Sequence, residues 1–160
     1  MDFQDRLQKA IERGQRRGDE RARAEVEKAL SEDEFKRLHS QYRLQLSEHI
    51  EKCAGQLPKH FPGFRLETIY GDRGWGAAAT RDDLKVETGR RMEYFSRLEM
   101  TVRPFSQLHV LELTAKGTIR NKELFNRTHF QRLTEVDLDE FETRIDNWTL
   151  EYAELYASKQ

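Results

Sequence analysis

The chain has 160 residues, of which 36% are hydrophobic and 36% charged, and its formal net charge is −1. This length suits a single domain with one core, but a chain so polar needs exposed helices, a disordered tail or a subunit interface that completes the core. A net charge near zero gives no general attraction to nucleic acid or to an anionic membrane. The single cysteine, Cys53, excludes a disulfide within the chain.

The first residues lack the basic-then-apolar order of a secretory signal. No apolar run approaches the roughly 18 residues that are needed to span a bilayer. We therefore expect a cytoplasmic protein with no membrane partner.

Residues 1–30 are predicted to form a charged helical extension, and residues 31–160 a single α+β domain. Near the start of the chain, Phe3, Leu7 and Ile11 fall on one helical stripe. Two interpretations stay open for the extension. One is an exposed, charged helix with a frayed start. The other is a short docking helix on a hinge that contains Gly14 and Gly18, which presents the stripe to a protein partner or to a second copy.

An arginine-rich stretch follows the stripe and suggests nucleic-acid binding. Basic side chains can contact phosphates, although acidic residues are interleaved with the arginines in this stretch. We keep nucleic-acid binding as a second alternative function. Its candidate residues are Arg13, Arg16, Arg17, Arg21 and Arg23.

Ser31 and Glu34 form a capping-box pattern, which predicts a helix from about Glu32 to Gln56. Gly55 and two nearby prolines end it. Its apolar stripe is expected to consist of Phe35, Leu38, Tyr42, Leu46, Ile50, Cys53 and Leu57.

Two strands are predicted next, from Phe64 to Tyr70 and from Trp75 to Thr80. The run Gly76–Ala79 has small side chains, which suits close packing of a helix or, alternatively, the approach of a ligand or of a partner's backbone. The glycines here match neither the dinucleotide-binding nor the Walker pattern. The polar stretch Thr80–Arg91 is expected to be a mobile loop.

From Met92 to Ala115, apolar and polar residues alternate, which predicts two strands joined by a tight turn at Pro104–Gln107. Apolar residues should face apolar residues across the pair, and this requirement sets the register. The expected pairs are Arg103–Leu108, Val102–His109, Met100–Leu111 and Leu98–Leu113.

After this hairpin, Lys116-Gly117 predicts a turn, and Leu124–Phe130 predicts a further strand. Asp137 and Glu140 then mark the start of a helix. Its apolar residues recur at spacings of 3, 4, 3, 4 and 3, which is a heptad seam. Docking on the sheet, pairing with the preceding long helix and pairing with a symmetry mate all stay open. The seam residues are Leu138, Phe141, Ile145, Trp148, Tyr152 and Leu155.

Two small clusters are candidates for chemistry. His49 and Cys53 lie four residues apart and share a helix face, but a zinc site normally takes three or four protein ligands, so we expect no metal. The expected hairpin register also places Glu99 opposite Glu112, where Arg97 would compensate their charges.

Three residues could line a ligand pocket between the sheet and the C-terminal helix: Tyr94, His109 and Trp148. In the expected register, His109 lies on the buried face of the sheet. Ligand binding or catalysis in this pocket is therefore the first alternative function.

The overall expectation is an α+β fold with N-terminal helices, a four- to five-stranded antiparallel meander and a C-terminal helix packed across the sheet. The leading hypothesis is a non-enzymatic interaction or adaptor protein that forms a homodimer or binds a protein partner. No cofactor is expected. The docking candidates are Phe3, Leu7 and Ile11.

Overall fold

A computed structural model of the chain describes residues 2–29 and 31–159. Met1, Leu30 and Gln160 lie outside the described residues, and the predicted boundary between residues 30 and 31 falls at one of them. The elements are, in order, α1 (Phe3–Ala29), α2 (Glu32–Ala54), α3 (Leu57–His60), β1 (Arg65–Ile69), β2 (Trp75–Glu87), β3 (Arg90–Val102), β4 (Val110–Ile119), β5 (Lys122–Arg132), a 3-10 turn (Leu133–Glu135) and α4 (Leu138–Ser158).

The five strands form one antiparallel sheet in the order β1-β2-β3-β4-β5. This is the predicted meander, in which each strand pairs with the next one along the chain. The helices α2 and α4 pack on the sheet and on each other. The predicted α+β class and the packing of the C-terminal helix on the sheet are confirmed. Among the described residues, no helix combines the length and the apolar character needed to cross a membrane.

The start of α2 is capped as its sequence predicts. The side-chain oxygen of Ser31 accepts a hydrogen bond from the backbone N–H of Glu34, 3.3 Å away. The helix buries Phe35, Leu46 and Ile50 in the core, and Leu38, Tyr42 and Cys53 are partly buried at its edge. It also buries His39, which the apolar stripe did not include.

The ring of His39 is buried at the end of the β3 strand. Its Nε2 lies 3.1 Å from the carbonyl oxygen of Arg103 and donates a hydrogen bond to it. Burial is the main cause that lowers the pKa of His39, and the nearby charge of Arg43 lowers it further. The imidazole is therefore a neutral, hydrogen-bonded part of the core.

The predicted cap of α4 is also confirmed, since the side chain of Asp137 accepts a hydrogen bond from the Glu140 N–H at 3.3 Å. Four residues of the heptad seam are buried, and they belong to the same core as the sheet and α2. The seam is thus a docking face on the sheet and on α2, because α4 packs on both. These buried residues are Phe141, Ile145, Trp148 and Tyr152.

The register of the central hairpin differs from the prediction by four residues. Val102 pairs with Leu113, and Met100 pairs with Ala115, where Leu111 was expected. The strand β3 ends at Val102 and β4 begins at Val110, so the connection is longer than a tight turn. A shift of an even number of residues keeps every side chain on its predicted face. The alternation of apolar residues therefore could not distinguish the two registers.

The shifted register also changes the charged pairs. Glu99 lies opposite Lys116, and not opposite Glu112 as predicted. The guanidinium of Arg97 contacts the carboxylates of Glu67 and Glu99, each at 3.0 Å. The predicted pair of facing carboxylates is therefore wrong, and these groups form a compensated network instead.

Two further predictions about loops are wrong. The stretch Thr80–Arg91 is not a loop, because β2 continues to Glu87 and pairs along its whole length with β3. A two-residue turn at Thr88 and Gly89, both with positive φ, joins them. Lys116 and Gly117 lie inside β4, and the turn falls at Arg120 and Asn121, which also have positive φ. The second half of β2 is polar and mostly exposed, so a rule based on apolar periodicity does not detect it.

The small residues at the start of β2 fit between the layers. Ala77 and Ala79 belong to the core on the helix side of the sheet. Gly76 lies against the neighbouring strand, where an added Cβ would come within 2.0 Å of the carbonyl oxygen of Met100. Because α2 packs on β2, the structure supports the interpretation that Gly76–Ala79 allows a helix to pack closely on the sheet.

The helix α1 is continuous from Phe3 to Ala29 and runs through Gly14 and Gly18 without a hinge. Near its C-terminal end, it meets the rest of the protein. Arg23 forms an ion pair of 3.3 Å with Glu135, and Ala24 lies beside the groove that contains His109. The predicted charged N-terminal helix is therefore present as one long helix, whose side chains are exposed from Phe3 to Val26.

Candidate functional site

The apolar stripe of α1 is exposed. The exposed fractions of Phe3, Leu7 and Ile11 are 72%, 44% and 45%. With 3.6 residues per helical turn, these residues share one face of α1, and the attachment point at Arg23 and Ala24 lies on the opposite side. The stripe therefore points away from the body of its own chain.

The same face of α1 continues with small residues. Ala10, Gly14 and Gly18 follow one another at a spacing of four, and Arg21 then interrupts the face. An added Cβ at Gly14 or Gly18 would meet nothing within 4 Å. The face thus runs from Phe3 to Gly18, which is about 24 Å at 1.5 Å per residue, and another helix can approach closely along it.

The two flanks of this face differ in charge. On one side lie Arg6 and Arg17, and on the other lie the uncharged Gln4, Gln8 and Gln15. All five residues are exposed. Flanking charges of this kind select the partner and its orientation when two helices pair.

The five arginines proposed for nucleic-acid binding are spread over a broad arc of α1. At 3.6 residues per turn, the arc covers nearly half of the circumference and contains Glu20, and Arg23 is paired with Glu135. Nucleic-acid binding stays a prediction. The five are Arg13, Arg16, Arg17, Arg21 and Arg23, all of them exposed.

The structure places His109 in the connection between β3 and β4, and not in a strand opposite Val102 as predicted. His109 precedes β4 and has a positive φ of 54°. Its ring stacks on Phe35, with the centroids 3.9 Å apart, and its Nε2 pairs with a carboxylate oxygen of Glu32. The side chain is 30% exposed. His109 therefore links the β3–β4 connection to the start of α2.

Tyr94, His109 and Trp148 do not line one pocket. Tyr94 lies opposite Asp83 in the β2–β3 hairpin, beyond the residues of β3 that pair with β4. Trp148 is buried in the core, which fills the space between α4 and the sheet. The predicted arrangement is therefore corrected, and ligand binding by any of the three stays a prediction.

A cluster of three side chains joins α2 to α4, and only two of them, His49 and Cys53, were expected from the sequence. The Nε2 of His49 lies 2.7 Å from Oδ1 of Asp146. The Sγ of Cys53 lies 3.3 Å from the same oxygen and 3.6 Å from the same nitrogen. One donor atom from each of the three side chains thus converges on a single point.

Burial, followed by the hydrogen bond that the thiol donates to Asp146, raises the pKa of the Cys53 thiol to about 12. A thiol with such a pKa is protonated at neutral pH and is a weak nucleophile. The arrangement also differs from a catalytic triad, in which the histidine uses different nitrogens for the nucleophile and the carboxylate. Here Nε2 faces both partners, so the cluster does not fit nucleophilic catalysis.

An apolar groove of about 700 Å³ lies next to this cluster. Cys53 and Asp146 form part of its wall, and His60 from α3 lines it as well. The apolar lining comes from Leu57, Phe61, Leu150 and Ala153. The cluster is therefore open to a cavity on one side.

Sequence reasoning missed Asp146 because it lies 93 residues after Cys53. His49 and Cys53 were identified from their spacing on one helix. The heptad seam of α4 could have indicated Asp146 as the third residue of the cluster. Asp146 directly follows the buried Ile145 and lies at the border of the face that docks on α2 and the sheet.

In comparisons with known proteins, no family model, no curated protein and no solved structure matches the chain.

Proposed function

We propose that this chain is a non-enzymatic interaction protein that self-associates through α1. The observation that carries the proposal is the exposure of Phe3, Leu7 and Ile11 on a face that points away from the chain's own body. In proteins, most of the stability of a helix comes from the packing of its apolar face. A partner that covers this face would stabilise α1.

The proposed partner is a second copy of α1, aligned in parallel. In a parallel pair related by a two-fold axis, the basic flank of each helix faces the uncharged glutamine flank of the other. Arg6 and Arg17 of one copy then lie beside glutamines of the second copy. An antiparallel pair would bring the two basic flanks together, and like charges repel.

The small residues support the same arrangement. Ala10, Gly14 and Gly18 have small side chains or none, so the backbones of two helices can approach each other closely. Phe3, Leu7 and Ile11 add apolar contact area towards the N-terminus. The shared face is only about 24 Å long, so we expect an association that depends on protein concentration.

The proposed compartment is the cytoplasm. A single cysteine is consistent with a reducing environment, where disulfides are rare.

The proposal is tested by replacing one anchor of the stripe. Leu7→Gln removes apolar surface and keeps helix propensity nearly unchanged. The matched control is Leu44→Gln, because Leu44 is also exposed, at 58%, but lies on α2. The measurement is the sedimentation velocity of each protein over a range of concentrations.

We expect the wild type and Leu44→Gln to associate, and Leu7→Gln to stay monomeric at the same concentrations. Association of Leu7→Gln that equals that of the wild type would contradict the role of the stripe. Circular dichroism shows whether both variants keep their helix content.

A further inference from the structure

Three different metal-binding side chains meet at the junction of α2 and α4. His49 offers an imidazole nitrogen, Cys53 a thiol sulfur and Asp146 a carboxylate oxygen, and these donor atoms lie within 4.8 Å of one another. They come from distant parts of the sequence but lie on two helices that the core holds together. The junction is therefore a fixed site.

The distances between the donors resemble those of a tetrahedral zinc site. Zinc lies about 2.0–2.1 Å from nitrogen and about 2.3 Å from sulfur, which separates neighbouring ligand atoms by about 3.3–3.7 Å. Cys53 Sγ already lies 3.6 Å from His49 Nε2 and 3.3 Å from Asp146 Oδ1. His49 Nε2 and Asp146 Oδ1 are hydrogen-bonded at 2.7 Å. They would need to separate by less than about 1 Å.

The ligand types favour a borderline-soft transition metal. A thiolate and an imidazole suit zinc, whereas magnesium and calcium prefer oxygen ligands. On binding, the Cys53 thiol releases its proton to solvent and coordinates as a thiolate. The negative charges of Cys53 and Asp146 then balance the two positive charges of the ion.

We propose that His49, Cys53 and Asp146 form a site for one divalent transition-metal ion, with Zn²⁺ as the best match. Three protein ligands leave the fourth position of a tetrahedral ion open. The adjoining groove, in whose wall Cys53 and Asp146 lie, gives water or a small ligand access to that position. This proposal is independent of the self-association of α1.

The test titrates the purified, chelator-treated full chain with Co²⁺, which replaces zinc and reports on its ligands by absorption. We expect one Co²⁺ per chain and a thiolate-to-cobalt charge-transfer band, which added Zn²⁺ abolishes. Cys53→Ala, His49→Ala and Asp146→Asn should each lose tight binding. Saturating Zn²⁺ should also raise the Tm of the wild type, because a ligand of the native state stabilises it.

Two controls separate this site from general metal binding. Asp139→Asn changes another exposed carboxylate of α4, and His60→Ala changes the histidine of the adjoining groove. Both should keep the charge-transfer band. Loss of the band in His60→Ala would overturn the assignment of three protein ligands. The absence of the band in the wild type, or binding by His49→Ala and Asp146→Asn that equals wild-type binding, would overturn the site itself.

Discussion

The phenol of Tyr152 donates a hydrogen bond to the carbonyl oxygen of Thr118, and the two oxygens lie 2.8 Å apart. Tyr152 is fully buried in the core. Burial raises the pKa of its phenol, so the hydroxyl is protonated and donates at neutral pH. This bond joins α4 to β4 at the centre of the domain.

Replacing Tyr152 with phenylalanine should lower the free energy of unfolding by about 1–2 kcal/mol, because a buried hydrogen bond is lost while the ring is kept. Urea unfolding measures the change. Tyr70→Phe is the matched control, since Tyr70 is 76% exposed, and it should change stability by less than about 0.5 kcal/mol. Equal stabilities of the two variants would contradict the structural role of the Tyr152–Thr118 bond.

His39 should make the stability of the domain depend on pH. Its pKa is lowered in the folded state, mainly by burial, from an ordinary value of 6.5. The unfolded chain therefore binds the proton more readily, and the free energy of unfolding falls as the pH decreases through about 6.5. Urea unfolding at several pH values between about 5 and 8 measures this dependence.

His39→Gln should flatten the pH dependence, although the loss of packing lowers stability at every pH. His129, whose pKa burial also lowers, should account for part of the slope that remains. Leu44→Gln, which changes an exposed residue of α2 without a titratable group, is the control and should keep the wild-type slope. A His39→Gln variant with an unchanged slope would show that His39 is not the titrating group.

Much of the fold could be predicted because its strongest signals are local. The caps at Ser31 and Asp137 depend on residues three positions apart, and the structure shows both hydrogen bonds. The buried positions of α4 follow from helical periodicity. The α+β class follows from such segments in chain order.

The register of β3 and β4 could not be predicted, since it depends on the conformation of their connection. The expected and observed registers differ by four residues, and both place Met100 and Val102 on the same face. Only the longer connection, in which His109 has a positive φ, separates them. The predicted position of His109, inside a strand and opposite Val102, was wrong for the same reason.

The candidate sites show a similar limit. The stripe of Phe3, Leu7 and Ile11 was readable because its members are close in sequence. The convergence of Asp146 on His49 and Cys53 depends on how α4 crosses α2, which is a tertiary relationship. The spacing of residues along the chain does not show how the two helices cross.

The parallel alignment of two α1 helices can be tested by cross-linking. In a Cys53→Ser background, Ala10→Cys should form a disulfide between two copies under mild oxidation, because a parallel pair brings the two residues 10 within the roughly 7 Å that a disulfide requires. Glu20→Cys, on the opposite side of α1, is the control and should remain uncrosslinked. Equal cross-linking at both positions would contradict the parallel arrangement.

The most direct test of self-association is the mass of the wild-type chain by sedimentation equilibrium over a wide range of concentrations. The proposed α1 pairing predicts a mass that rises with concentration from that of the monomer towards twice that value. Under the same conditions, Leu7→Gln should keep the monomer mass. A wild-type mass that stays at the monomer value at every concentration would contradict the proposed function.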